Sequence, residues 1–135
     1  MSITAQELRI GNWVYDGEKK RNCAIEEIRG ESVLLDPSPY AGTKLSWLMP
    51  IPLTPDVLKK CGFDKYNDGL AMDAWASGQN ARFDLWFTSG RLYIKSRYEA
   101  EHSNLDAHYL PHIRYLHQLQ NLYFSLTGTE LNYTP

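Results

Sequence analysis

The segment from Ile113 to Leu126 is the feature that most constrains how this chain can fold. Its apolar side chains recur at steps of three and four residues, so on a helix they form one broad stripe, made up of Ile113, Leu116, Leu119, Leu122, Tyr123 and Leu126. Its polar side chains lie away from this stripe, at Arg114, Gln118, Gln120 and Asn121. Pro111 suits the first helical turn, and Gly128 suits the left-handed position after the last one. The segment therefore predicts an amphipathic helix that supplies much of the core.

Length and composition fit one folded domain or two tightly packed half-domains. The chain has 135 residues, of which 43 % are hydrophobic, so it can bury a sizeable core without a metal or disulfides. The formal net charge is -2, which supports neither a disordered chain nor a polyelectrolyte. Nucleic acid could therefore bind only through a local patch.

The cysteines and the N-terminus indicate the compartment. Cys23 and Cys61 occur without a CxxC pattern or a Cys/His cluster, which predicts free thiols in a reduced environment. Met1 is followed by SITAQELRIG, which lacks the basic and apolar regions of a signal peptide. No window approaches the roughly 18 apolar residues of a membrane-spanning helix. We therefore expect a cytoplasmic protein without a membrane span.

The first half of the chain reads as a small β-unit. Short apolar runs at Trp13 to Tyr15, Cys23 to Ile28 and Ser32 to Asp36 are separated by turn residues, and Lys44 to Met49 offers one more strand. This succession of strands and tight turns resembles the opening of an SH3-like or KOW-type barrel, a fold that many unrelated binding modules share. We place this unit at residues 1–53.

The second half, residues 54–135, begins with a short helix and contains a clear hairpin. Thr54 is a good N-cap, and Pro55 to Cys61 carries one apolar face. A strand is predicted at Leu70 to Ala76. If Ser89-Gly90 is a two-residue turn, the pairs that face each other are Phe87 with Leu92, Leu85 with Ile94, Trp86 with Tyr93 and Asp84 with Lys95. This register predicts an inner aliphatic face, packed by the C-terminal helix, and an outer polar and aromatic face. Residues 99 to 110 read as a polar connector.

The outer hairpin face is the main candidate for a ligand-binding site. Trp86 and Tyr93 can stack on a planar ring, while Arg82, Lys95 and Arg97 can hold anionic groups. The alternative is a cross-strand aromatic pair beside an ordinary ion pair.

A second aromatic set lies in the first half, at Trp13, Tyr15, Tyr40 and Trp47. A small β-unit has few aliphatic residues to fill its core, so we expect this set to be used chiefly for packing. Trp13 and Trp47 are retained as ligand-binding candidates.

No catalytic or metal-binding motif stands out. The four histidines, His102, His108, His112 and His117, do not have the spacing of a metal site, and we expect them to be solvated or hydrogen-bonded. Neither cysteine lies in a nucleophile motif, and the chain contains no GxSxG, P-loop or GxGxxG pattern. We therefore expect a protein that is not an enzyme and needs no cofactor or metal.

Three stretches of the sequence carry a family resemblance: Glu7 to Val14, the middle phrases Ile51 to Thr54 and Cys61 to Phe63, and His117 to Leu131. In these stretches the chain resembles a family of small proteins encoded by phages and prophages of Bacteroidetes. That family has no settled activity, so no functional residues can be transferred. The resemblance implies a small intracellular accessory protein, a class that often acts by binding, including inhibitors of host defence.

Together these features predict an α+β protein with an N-terminal SH3-like β-meander, a short linking helix, and an antiparallel sheet packed by the C-terminal amphipathic helix as one compact domain. The functional hypothesis is a non-catalytic phage or prophage protein that counters host defence by sequestering a small nucleotide-type ligand. A homo-oligomer is one form that it could take. The alternatives are an inhibitor or adaptor that binds a host protein, and a nucleic-acid-binding module, against which the acidic balance argues.

Overall fold

A five-stranded antiparallel sheet forms in each half of the chain, and a helix lies near the C-terminus. The computed structural model describes residues 3–36, 38–75, 81–98 and 108–135, with residues 38–41, 75, 81, 82 and 96–98 described by their backbone alone. The α+β class is confirmed. Two compact units are present, one comprising residues 1–52 and 115–121 and the other residues 53–114 and 122–135.

The sheet of the first unit has the strand order β4-β3-β2-β1-β5. Its strands are β1 (Trp13–Asp16), β2 (Arg21–Arg29), β3 (Ser32–Asp36), β4 (Ser38–Lys44) and β5 (Leu48–Met49). The first four form a meander, and the last returns to pair with the free edge of β1. A 3-10 turn, Leu45–Trp47, precedes β5. This order, with a 3-10 turn before the final strand, agrees with the predicted β-meander.

The prediction of a single strand from Lys44 to Met49 is wrong. Lys44 ends β4, and the chain then turns before it enters β5. Two hydrogen bonds hold the turn: Leu45 N donates to Glu31 O (3.0 Å), and Gly17 N donates to Trp47 O (3.0 Å). These backbone bonds involve partners distant in sequence, which is why local periodicity did not reveal the break.

Strand alternation builds the core of the first unit. Inward positions of the sheet are fully buried, with members Val14, Cys23, Ile25, Val33, Leu35 and Leu48. Leu8 and Ile3 from the N-terminal segment complete the cluster. Both cysteines of the protein are free thiols, as predicted, and both are buried.

The C-terminal helix α2 (Leu116–Thr127) ends as predicted but begins later. Gly128 has φ 75 and donates its N–H to Phe124 O (2.8 Å), which closes the last turn. The expectation that Pro111 occupies the first helical turn is wrong, because Pro111 and His112 form a separate turn.

Tyr115 sets the start of α2. Its backbone forms a β-bridge with Pro52, and its N–H donates to Gln118 Oε1 (3.1 Å), an acceptor three residues ahead. This bond is one half of a capping box, in which a side chain in the first turn satisfies a free N–H before the helix. Leu116 N donates to Ile51 O (2.8 Å), so the first helical residue is also hydrogen-bonded to the segment that follows β5.

The helix buries polar side chains as well as part of its apolar stripe, of which Leu122, Tyr123 and Leu126 are only half-buried and Ile113 lies before the helix. Leu116 and Leu119 are fully buried as predicted, but so is Gln120, which is 2 % exposed. Gln120 Oε1 accepts from Trp13 N (2.8 Å), and Gln120 Nε2 donates to Gly11 O (3.1 Å). The prediction that Gln120 lies away from the core is therefore wrong. Its amide bonds to backbone groups of Gly11 and Trp13, as a neighbouring strand would.

Asn121 extends the same network. Its Oδ1 accepts from Arg9 Nε (2.9 Å) and from Asn12 Nδ2 (2.9 Å), and its Nδ2 donates to Glu7 O (2.9 Å). Asn12 is fully buried and its Oδ1 accepts from Arg9 N (2.7 Å). The segment from Glu7 to Trp13 is thus held to α2 by side-chain amides.

The second unit contains a short helix and a sheet of order β10-β9-β8-β7-β6. The elements are α1 (Pro55–Lys60), β6 (Asp64–Tyr66), β7 (Gly69–Trp75), β8 (Ala81–Thr88), β9 (Arg91–Tyr98) and β10 (His108–Tyr109). Helix α1 begins as predicted, with Thr54 Oγ1 accepting from Val57 N (3.2 Å). Residues 99–107 of the predicted connector lie outside the described part of the chain.

The hairpin between β8 and β9 has the predicted register in every pair. Leu85 faces Ile94, Phe87 faces Leu92, Trp86 faces Tyr93 and Asp84 faces Lys95. The turn residues Ser89 (φ 52) and Gly90 (φ 75) both take left-handed conformations, which match the twist of a two-residue hairpin. Leu85, Phe87 and Leu92 are buried, so the inner and outer faces are also as predicted.

We expect Gln120→Leu to destabilise the protein strongly. The leucine would leave Trp13 N and Gly11 O buried without their partners, and each orphaned group costs about 1–3 kcal/mol. Chemical denaturation should show a loss of about 2–5 kcal/mol in the free energy of unfolding.

Gln6→Leu is the matched control, because Gln6 is exposed and makes no hydrogen bond within the described residues. Its unfolding free energy should stay within about 0.5 kcal/mol of the original value. Equal effects of the two substitutions would contradict a stabilising role for the buried amide.

Candidate functional site

Three aromatic side chains form a row across the outer face of the second sheet. Trp86, Tyr93 and Tyr109 occupy directly opposed positions on β8, β9 and β10. The ring centroids of Trp86 and Tyr93 lie 5.7 Å apart, and those of Tyr93 and Tyr109 lie 5.6 Å apart. The planes are tilted by 39° and 41°, a favourable geometry for aromatic pairs. We call these three residues the aromatic row.

The row is open to solvent at one end. Trp86 and Tyr93 are half-buried, and Tyr109 is 45 % exposed. Sequence reasoning found the first two and missed Tyr109, which it placed in a polar connector. A two-residue strand is too short to show alternation, so only its pairing with β9 reveals the third ring.

Basic residues of β9 lie on both sides of the row. The Arg91 guanidinium carbon is 5.4 Å from the Tyr109 ring centroid, a cation–π contact. Lys95 lies two positions beyond Tyr93 on the same face, opposite Asp84. An anionic group attached to a ring stacked on the row would therefore find a cation in either direction along β9.

The remaining two basic candidates are placed by register. Arg82 and Arg97 are direct partners in the hairpin and share the outer face with Lys95. Their side chains lie outside the described part of the structure. The backbone thus brings the five outer-face candidates of the hairpin onto one surface.

On the side of Trp86 away from Tyr109, strand β7 carries small residues. Ala71 of β7 is the partner of Trp86, and a Cβ at Gly69 would lie 3.0 Å from Trp86 Nε1 and would meet the Phe87 carbonyl oxygen. The glycine therefore leaves room for the indole to lean over β7. A larger residue at position 69 would displace it.

The two tryptophans proposed in the first half belong to the other unit. Trp47 is 42 % exposed, so the expectation that it packs in the core is wrong, while Trp13 and Tyr15 are half-buried. Trp47 lies in the 3-10 turn, where a side chain can point away from the sheet. The Tyr40 side chain lies outside the described residues.

The histidines do not share one environment. His108 and His112 are exposed, whereas His117 is fully buried on α2, and His102 lies outside the described residues. Among the described residues, no group of three or more His, Cys, Asp or Glu side chains could hold a metal ion.

His117 lies in a polar but poorly solvated position. Its Nε2 is 3.3 Å from Glu7 Oε1, at ion-pair distance but without the alignment of a hydrogen bond. The Tyr115 ring stacks on the imidazole with centroids 6.2 Å apart and planes 5° apart. Burial lowers the pKa of His117, and the nearby Glu7 carboxylate opposes this shift in part.

Burial also decides the state of the thiols. It raises the pKa of Cys61 to about 12 and raises that of Cys23 above its usual value. Both groups are therefore protonated at neutral pH, and neither has the thiolate character of a cysteine nucleophile.

The fold defines this chain as a small α+β protein with two five-stranded antiparallel sheets, the second of which carries the aromatic row. Comparison of the chain with protein-family models, curated proteins and solved structures gives no match in any of the three. Neither helix within the described ranges has both the length and the apolar composition needed to cross a bilayer.

The buried His117 predicts a loss of stability in acid. Its pKa in the folded protein is below the unfolded value of 6.5, so the unfolded chain binds the proton more readily. The free energy of unfolding should be highest above pH 6.5 and should fall as the pH drops through the folded pKa. Thermal unfolding measured from pH 7.5 to 5 should show this decline.

His117→Gln should flatten this pH dependence, because the new side chain does not titrate. His112→Gln is the matched control, since His112 is exposed on the preceding turn, and its profile should follow the original protein. An unchanged slope in His117→Gln would show that another group causes the acid sensitivity.

Proposed function

We propose that this protein binds a small nucleotide-type ligand on the aromatic row and sequesters it without cleaving it. The observation that carries the proposal is the row itself, three rings on the outer sheet face, exposed at the Tyr109 end, with Arg91 and Lys95 on either side. A nucleotide combines a flat base with anionic phosphates, and this surface offers partners for both. Stacking of a base on an aromatic side chain contributes about 1–3 kcal/mol.

The arrangement favours ligand binding over catalysis. Tyr93 and Trp86 are fixed by their strand pairing and by mutual contact, so the surface is formed before the ligand arrives. Stacking and charge pairing bind a base and its phosphates without supplying a nucleophile or a general base. The ligand would therefore be released unchanged.

The sequence resemblance to phage and prophage proteins of Bacteroidetes supports a setting for this activity. In the cytoplasm of a bacterial host, a protein that removes a nucleotide signal would keep a defence system from being activated. The expected partner is then the signal itself, and the protein must be present at a concentration comparable with that of the signal.

A second candidate function is the binding of a host protein. Tyr109 and Tyr66 are exposed by 45 % and 56 %, and their strand registers place both on the outer face of the second sheet. Exposed tyrosines are common anchors of protein interfaces. This candidate predicts a macromolecular partner and no bound small molecule.

The first test is to identify what the purified protein retains. The protein is incubated with lysate from cells whose nucleotide-based defence is active, washed, and heated, and the released small molecules are analysed by mass spectrometry. An intact nucleotide at a near-stoichiometric amount is the expected result. A protein that returns empty, or that yields only a cleaved product, would contradict sequestration.

Substitutions on the row should remove the nucleotide from the same assay. Tyr109→Ala removes an exposed ring from the row. Lys95→Glu with Arg97→Glu reverses the charge at two β9 positions beyond Tyr93. Each change should lower the recovered nucleotide at least about tenfold, because either a stacking contact or charge-assisted bonds worth about 1.4 kcal/mol or more are lost.

Tyr66→Ala is the matched control for Tyr109→Ala. Tyr66 is more exposed than Tyr109, and its strand β6 lies at the opposite edge of the same sheet. The control should retain the nucleotide at the original level. Equal loss in both variants would place the binding site elsewhere.

A further inference from the structure

The first unit has an exposed apolar pair of its own at the end of its sheet. Trp47 is 42 % exposed in the 3-10 turn, and Met49 is 55 % exposed on the edge strand β5. Tyr15 of β1 is the register partner of Met49 and is half-buried. Tryptophan and methionine side chains exposed together are typical of the centre of a protein interface.

One lysine contacts Trp47, and two more lie in the turn that hydrogen-bonds to the tryptophan segment. Lys44 Nζ lies 5.5 Å from the centroid of the Trp47 ring. Lys19 and Lys20 are exposed in the turn between β1 and β2. We define the tryptophan patch as Trp47, Met49, Lys19, Lys20 and Lys44.

The turn that carries two of the lysines is fixed against the tryptophan segment. Gly17 N donates to Trp47 O (3.0 Å), and a Cβ at Gly17 would lie 2.9 Å from the same oxygen, so only glycine allows this approach. The buried Asp16 accepts at Oδ1 from Glu18 N (3.0 Å) and Lys19 N (3.4 Å). Hydrogen bonds therefore hold the turn 17–20, which carries Lys19 and Lys20, in a fixed position beside the tryptophan segment.

The charge of the patch is not neutralised by ion pairs. Within the described residues, Lys19, Lys20 and Lys44 form no ion pair, and Glu18 is the single acidic side chain in the turn 17–20. The whole chain has a formal net charge of -2, so this positive area is a local feature. Its charge complements an acidic partner.

A groove adjoins the patch. It has a volume of about 730 Å³ and runs along the N-terminal 3-10 turn, with Ile3, Ala5, Glu31, Lys44, Leu45 and Ser46 among its lining residues. Lys44 belongs to both the groove and the patch. A chain segment that places one apolar side chain against Trp47 could thus continue along a concave surface.

We propose that the tryptophan patch is a docking site for an acidic peptide segment of another protein, with one large apolar side chain as its anchor. The anchor packs on Trp47 and Met49, and acidic side chains on either side pair with Lys19, Lys20 and Lys44. The patch lies in the first unit, whereas the aromatic row lies in the second, so this proposal does not depend on the sequestered ligand.

The composition of the patch favours a peptide over a nucleic acid. Its one exposed ring could stack a single base, whereas single-strand binding uses successive aromatic side chains. Met49 offers a flexible thioether surface, which suits an irregular apolar side chain better than a flat base.

Fluorescence anisotropy with four labelled probes tests the proposal on the full chain. The first probe is a peptide of about ten residues in which one tryptophan is flanked by glutamates. The second replaces that tryptophan with serine, and the third replaces the glutamates with lysines. The fourth is a single-stranded thymidine oligonucleotide of similar length.

The first peptide should bind, and the other three probes should bind at least about tenfold more weakly. Trp47→Ala and the pair Lys19→Glu with Lys44→Glu should each weaken its binding at least about tenfold. Phe124→Ala and Lys65→Glu are the matched controls, since both side chains are exposed in the other unit, and they should leave the affinity unchanged.

Three results would overturn the proposal. They are no binding of the acidic tryptophan peptide up to about 1 mM, binding that survives the Trp47 and lysine substitutions, and tighter binding of the oligonucleotide than of the peptide. The last result would assign the patch to single-stranded nucleic acid. Because Trp47 and the lysines are exposed, circular dichroism of the variants should show an unaltered fold.

Discussion

The side-chain amides of Gln120 and Asn121 are the interaction on which the first unit depends. Together they bond five groups of the segment from Glu7 to Trp13: Glu7 O, Arg9 Nε, Gly11 O, the Asn12 side chain and Trp13 N. The segment has no strand partner for these groups at that point. A polar group buried without a partner costs more than its bond contributes, so the helix must supply these amides for the chain to enter β1.

Sequence reasoning located most elements because each carried a local signal. The hairpin register followed from alternation around Ser89-Gly90, and the start of α1 followed from Thr54 and Pro55. The 3-10 turn at Leu45–Trp47 and the late start of α2 depend on backbone bonds to Glu31, Gly17 and Ile51, which are distant in sequence. Two members of the aromatic row, Trp86 and Tyr93, can be predicted from the same local pattern. Tyr109 cannot, because it joins the row only through the pairing of β10 with β9.

Two stretches that lie far apart in the sequence hydrogen-bond to each other through their side chains. Glu7 to Val14 contributes Arg9 and Asn12, and His117 to Leu131 contributes Gln120 and Asn121. The sequence pattern predicts that these amide groups lie on the solvent side of an amphipathic helix, because polarity alone does not distinguish a solvated amide from a buried, paired one. In this protein these four side chains stabilise the fold.

The two surfaces proposed for binding have a different physical origin. Strand alternation places Leu85, Phe87 and Leu92 on the buried face of the second sheet and Trp86 and Tyr93 on the other face. The two outer rings are therefore not needed to fill the core. The same holds for Trp47, which the 3-10 turn carries out of the sheet. Aromatic surface beside basic side chains favours contact with a partner that is both apolar and anionic. Such surfaces are therefore better indicators of function in this chain than its buried histidine or its thiols.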